Sequence, residues 1–222
     1  MTDKKSQTID RCLKLYVPAL SDGADEVGIV RVCMDRGIKP MTAKQKMVGF
    51  ARPGKLVRSP VGRLYDEAQL DQFMSLVTKA KTNDLIVIDM SDATDCSGWG
   101  QVLTQIGLPL GIRGALVDGT VRDIETIDRT DFVVFARGRH PATMRGRMDM
   151  ESIGKPILCG GVTVHPGDLV FGDGDGVVVV SQDSIDEVLV AAEEIVETDD
   201  WWAEKLDEGE DPHELHKERP IP

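Results

Sequence analysis

The segment Asp84-Leu85-Ile86-Val87-Ile88-Asp89 is a continuous apolar run bounded by acidic residues. Such a run suits a strand buried on both faces, the kind found in a parallel sheet covered by helices. Its flanks decide the fold class. Before it, Leu70, Phe73, Met74 and Val77 recur at helical spacing and predict an amphipathic helix over 67–81. After it come a strand at 114–117, a short helix at 124–129 and another strand at 132–136. Strand and helix alternate, which is the α/β pattern.

Working outward, the pattern changes beyond Gly146. Four short β segments, 157–159, 162–164, 169–172 and 177–180, are separated by Gly, Pro and Asp turn residues, so this half should be mostly sheet. Ser181 to Asp183 opens a final helix. Ser184, Asp186 and Glu187 in its first turn suit the helix dipole, and Ile185, Val188, Leu189, Ala192 and Ile195 share a face. Toward the N-terminus, Ile9, Cys12, Leu13 and Tyr16 predict a helix over 6–15 that Pro18 ends, and 22–41 reads as short strands and turns. No repeat or long linker interrupts the chain. The expectation is a single domain over 1–222, with a core at 20–180 and a C-terminal helical extension at 181–222.

With 222 residues, 41% hydrophobic and 29% charged, the composition is globular and long enough for a real core. The formal charge of −12 works against any large phosphate-binding surface, so no direct nucleic-acid binding is expected. No apolar run approaches the roughly 20 residues of a membrane span. The N-terminus from Met1 to Ser6 is polar without a signal core, which predicts a cytoplasmic protein. Cys12, Cys33, Cys96 and Cys159 lack CxxC spacing and read as reduced, small apolar groups rather than a zinc site or redox pair.

The chemistry concentrates between Gly98 and Asp123. Glycines at Gly98 and Gly100 precede a helix and leave backbone N–H groups free at its positive end, suited to a carboxylate or phosphate. The strand over 115–117 ends in Asp118-Gly119, and ligands gather at the C-terminal ends of α/β strands. Arg122 and Asp123 would reach the same crevice as the Gly100 loop. There a guanidinium can grip an oxyanion while a carboxylate holds a hard cation such as Mg²⁺ or Mn²⁺. From chemistry alone, an exposed Arg–Asp pair at a helix start is the plainer reading.

Taken together, Gly100 to Leu103, Gly114, Val117-Asp118-Gly119-x-x-Arg122-Asp123, Phe135-Ala136-Arg137-Gly138, Cys159-Gly160-Gly161-Val162, Pro166-Gly167-Asp168-Leu169 and Asp173-x-Asp175-Gly176-Val177-Val178-Val179 resemble the RraA-like family. That family includes 4-hydroxy-4-methyl-2-oxoglutarate aldolases and the RraA regulators of ribonuclease E. The resemblance implies an α/β sandwich with a central sheet of short strands, outer helices and a C-terminal helical extension. It also implies a trimer or dimer of trimers with sites at subunit boundaries. Function by resemblance is a Mg²⁺- or Mn²⁺-dependent lyase on 2-oxo acids, a class II pyruvate aldolase, an oxaloacetate decarboxylase or both. The other reading is a non-enzymatic regulator that docks on an RNA-processing enzyme. Such regulators are shorter, and the segment beyond Ser181 favours the enzyme.

Position by position, the aldolases' carboxylate-binding amides fall on Gly100, Gln101, Val102 and Leu103, the oxygen-binding arginine on Arg122 and the metal anchor on Asp123. A glutamate that reaches the metal-bound water from a neighbouring subunit's C-terminal region corresponds to Asp199. One departure is plain: the aldolases carry an acidic residue where this chain has Gln101, and an amide cannot act as a general base. Decarboxylation asks less of a base.

Other residues have plainer readings. His165 sits in a turn, and Asp173-Gly-Asp175-Gly176 reads as a tight β-turn rather than a Ca²⁺ loop. Arg137, Arg139, His140, Arg145 and Arg147 form a basic cluster, either a solvated loop or a site for a second substrate carboxylate. His213 and His216 fall in a tail expected to be mobile, and one of Trp201 and Trp202 should find a neighbour outside its own helix.

Overall fold

The computed structural model describes residues 4–60 and 67–221. The first three residues of the polar N-terminus and the terminal Pro222 therefore lie outside the described residues. The chain runs through helices α1 (Lys4–Cys12) and α2 (Val17–Glu26), strands β1 (Lys39–Pro40) and β2 (Met47–Arg58), helix α3 (Glu67–Thr78), and strands β3 (Asp84–Asp89) and β4 (Ser97–Trp99). Helix α4 (Gln101–Gly107), strand β5 (Gly114–Val121), helix α5 (Ile124–Ile127) and strand β6 (Val133–Arg139) follow. Strands β7 (Met148–Ile153), β8 (Ile157–Cys159), β9 (Val162–Val164), β10 (Leu169–Gly172) and β11 (Val177–Val180) lead into helices α6 (Ile185–Asp207) and α7 (Pro212–Glu218).

The main sheet has the order β1-β6-β5-β3-β2-β10-β11, with β4 on β5 and β7 on β2. Its centre, β6, β5, β3 and β2, is parallel, as the run at 84–89 predicts. Strand β2 organises the rest. One edge pairs with β3, and the other is divided: Met47 to Phe50 pair with β10, and Gly54 to Arg58 pair with β7. Pro53, which has no N–H to donate, sits in the gap between those two partners.

The sheet curls. Phe135 of β6 comes close enough to Gly172 of β10 that a Cβ there would lie 3.0 Å from the ring. Met34 donates to Val177 on the β11 edge at 2.9 Å, while β1, a few residues on, pairs with β6 at the opposite edge. The segment between them thus spans the opening, and both edges are capped. Leu85, Val87, Leu116, Phe135, Val170 and Val179 fill the concave face with the β8–β9 hairpin. The convex face is covered in two parts. Helices α3 to α5 pack over β3, β5 and β6, and helices α1, α2 and α6 pack over β2, β10 and β11.

Two expectations change. The 22–41 stretch begins as helix, because α2 extends to Glu26 with Leu20, Gly23 and Ala24 buried against α6. The tail is ordered: Asp211 caps α7, accepting from the amide of His213 at 2.8 Å, and Leu215 is buried. Trp202 is half of the reason, donating from Nε1 to the Arg219 carbonyl at 3.0 Å. Its outside neighbour is α7 of its own chain. Among the described residues, no helix is long and apolar enough to cross a membrane.

Candidate functional site

The Gly100 turn and the end of β5 are joined by the backbone. Arg122 donates its amide to the Trp99 carbonyl at 3.0 Å, so the last residue of β4 and the residue after β5 share one bond. Trp99 is buried, stacks on Phe132 at 5.6 Å and donates from Nε1 to Thr104 at 2.9 Å. The Thr104 hydroxyl in turn donates to the Gly100 carbonyl at 3.2 Å. This buried network fixes the turn from below.

Asp123 adopts the left-handed conformation, φ 60°, a region that Asp tolerates better than most residues. The turn brings Oδ2 back to the Gln101 amide at 3.1 Å and to Nε of Arg122 at 3.6 Å. Its carbonyl accepts from the amides of Thr126 and Ile127 at 3.0 Å and opens α5. A Cβ at position 100 would lie 2.7 Å from Asp123 Oδ2 and 3.2 Å from Arg122 Cγ. Glycine is needed there for space.

These groups line a cleft of about 130 Å³ together with α3, β4 and β7. Gly100, Val102, Leu103, Arg122 and Asp123 all contribute to it. The Gln101 amide is already given to Asp123, which leaves the amides of Val102 and Leu103, in the first turn of α4, without intrahelical acceptors. Arg122 and Asp123 also border a second, more open cleft of about 360 Å³ beside Arg139 and His140. Among the described residues no three His, Cys, Asp or Glu side chains converge as a metal cage.

Asp199 lies elsewhere in its own chain, on α6, where it accepts from the Tyr16 hydroxyl. His165 and Asp173 sit in turns. The His165 amide donates to buried Asp168 at 2.7 Å, and Asp173 accepts from the amides of Asp175 and Val17 at 2.9 and 2.8 Å. Of the basic cluster, Arg137 pairs with Asp118 and Asp35, Arg139 donates to the Met41 carbonyl and Arg147 to the Thr143 carbonyl. Arg145 lines the cleft.

Sequence reasoning missed the apolar side of this cleft, built by Leu70 and Met74 of α3 with Met148 and Met150 of β7. A signal was present. Helix α3 buries Gln69, Phe73, Leu76 and Val77, so the apolar Leu70 and Met74 lie beside the stripe that packing uses.

The chain is 33% identical over 155 residues to a protein of Halalkalibacterium halodurans named putative 4-hydroxy-4-methyl-2-oxoglutarate aldolase, covering 70% of this chain and 69% of that one. It is also 33% identical over 189 residues to protein DlpA of Legionella pneumophila, covering 85% of this chain but spanning only 30% of DlpA. A crystal structure of an uncharacterized protein from Pseudomonas syringae superposes with a TM-score of 0.81 at 29% identity, covering 97% of this chain and all of that one. The sequence model of the RraA-like family, described as Aldolase/RraA, matches residues 17–179, and the chain belongs to that family.

Proposed function

We propose that this chain is a divalent-metal-dependent lyase on 2-oxo acids, releasing pyruvate by retro-aldol cleavage, decarboxylating oxaloacetate, or both. The observation that carries this reading is the closure of the Gly100–Gln101 turn on Arg122 and Asp123 at one cleft. The amides of Val102 and Leu103 would hold the substrate carboxylate. Arg122 would donate to the 2-oxo oxygen as it becomes an enolate oxygen, a charge-assisted bond.

The residues present fit a hard cation held mainly by water. Asp123 Oδ1 makes no hydrogen bond among the described residues, and Mg²⁺ commonly binds through one or two carboxylates while keeping several waters. When bound, the cation supplies positive charge where the enolate develops. Gln101 cannot take a proton, so in aldol cleavage the C4 hydroxyl proton passes to water. In this reading the sites lie at the boundaries of a homotrimer or dimer of trimers, and Asp199 of the partner subunit supplies a further carboxylate.

The test is oxaloacetate turnover with Mg²⁺ or Mn²⁺. Arg122→Ala and Asp123→Asn should each lower kcat/KM by about a hundredfold, the scale for removing one electrostatic stabiliser. Activity indifferent to a chelator would remove the metal from the reading. A chain without turnover on any 2-oxo acid would instead be read as a docking regulator.

A further inference from the structure

The cleft has two unlike sides. Its polar corner holds Arg122, Asp123 and the first amides of α4. The rest of the lining is mostly apolar, with Leu70 and Met74 from α3, Leu103 from α4, Met144 from the loop before β7, and Met148 and Met150 from β7, interrupted by Gln69, Ser97, Thr143 and Arg145. Met148 is buried in the core, while the other five apolar side chains are only half-buried. Their remaining apolar surface faces the cleft, and a concave apolar wall beside a few polar groups is the ordinary composition of a ligand site. Methionine adapts its shape to irregular apolar groups.

A carboxylate set against these apolar side chains would lose hydration there, which is costly. Arg145 lines the cleft but is solvent-exposed, so its attraction to an anion is screened. Arg122 belongs to the opposite corner.

We propose that the group carried at C4 of the cleaved 4-hydroxy-2-oxo acid is a short alkyl chain seated on this methionine wall, and not a second carboxylate. The inference rests on the pyruvate-lyase reading above. In the reaction the C3–C4 bond of R–CH(OH)–CH₂–CO–COO⁻ breaks and its electron pair passes into the pyruvate enolate. The C4 hydroxyl releases its proton to water as it becomes the aldehyde R–CHO, and C3 takes a proton from water to give pyruvate.

The experiment compares the Mg²⁺-loaded protein on 4-hydroxy-2-oxoheptanoate, whose C4 carries a propyl group, and on 4-hydroxy-4-methyl-2-oxoglutarate. Pyruvate release is followed with lactate dehydrogenase. Exchange of pyruvate's own methyl protons in D₂O, followed by NMR, reads the enolate chemistry without any C4 group. The propyl substrate should be favoured in kcat/KM by about tenfold or more, the scale of a small apolar group in a fitted pocket. Met74→Gln, of similar length but polar, should erase most of that preference. Methyl exchange together with equal or better cleavage of the dicarboxylate overturns the apolar wall as the C4 subsite and leaves the lyase reading intact. Absence of both exchange and cleavage overturns the lyase reading and the subsite with it.

Discussion

The backbone amide of Gln101 donates to Oδ2 of Asp123 at 3.1 Å, so the first residue of one helix holds the side chain of the residue that precedes the next. Asp123 can turn back this far because it accepts a left-handed backbone, and it has room because residue 100 carries no side chain. The arrangement couples two loops that are distant in sequence, and each loop's geometry depends on the other.

Gly100→Ala should therefore misplace Arg122 and Asp123 together. The backbone at Gly100 is extended and open to alanine, so the effect comes from the methyl at 2.7 Å from the carboxylate oxygen. Overpacking of this kind costs about 1–3 kcal/mol, and displacement of reacting groups by an ångström costs about a hundredfold in rate. The expected outcome is a modest fall in Tm with a large fall in kcat/KM on oxaloacetate. A variant with normal turnover would show that the pair does not need this closure.

Gln101→Glu or Gln101→Asp should raise cleavage of 4-hydroxy-4-methyl-2-oxoglutarate, because either puts a proton acceptor at the position whose amide already touches Asp123. Initial rates of pyruvate release under saturating Mg²⁺ check this. If neither variant gains on any 4-hydroxy-2-oxo acid, position 101 serves a different chemistry.

Deleting 199–222 removes the end of α6, all of α7 and the Tyr16 partner Asp199. The expected result is loss of oligomer mass by light scattering and loss of turnover. A milder cut, deleting 210–222, takes away α7 with its buried Leu215 and the Arg219 carbonyl to which Trp202 donates. Its tryptophan emission should shift to the red and its Tm should fall. A 199–222 deletion that keeps assembly and full kcat would remove the segment from both the interface and the site.

Native protein at neutral pH should react with a thiol reagent at Cys33 alone, whereas urea-unfolded protein should react at all four cysteines. Cys33 is exposed. Burial pushes the Cys12 thiol up to about 12 and raises Cys96 and Cys159 as well, so those three hold little thiolate and admit no reagent. Mass spectrometry of the labelled native protein counts the modified sites.

Where a segment's structure depends on its own neighbours in the chain, the sequence was sufficient. The four β segments from 157 to 180 coincide with β8 to β11 because branched apolar runs are bounded by Gly, Pro and Asp turns. The run from Asp84 to Asp89 announced a strand covered on both faces, and the order Val117 to Asp123 placed Arg122 and Asp123 at the end of β5. Only the tertiary structure decided the rest. Strand β2 carries Gly49, Arg52, Pro53, Gly54 and Lys55, which read locally as breaks, yet it is the organising strand because its edge is divided between β10 and β7. Trp202 meets the Arg219 carbonyl beyond α7 of its own chain, because the chain folds back after Gly209. Leu70 and Met74 look like core in the sequence; they line the cleft because β7 is hydrogen-bonded to β2 alongside α3. In each case the deciding partner is remote in sequence, and no local pattern of residues encodes which surface will arrive beside it.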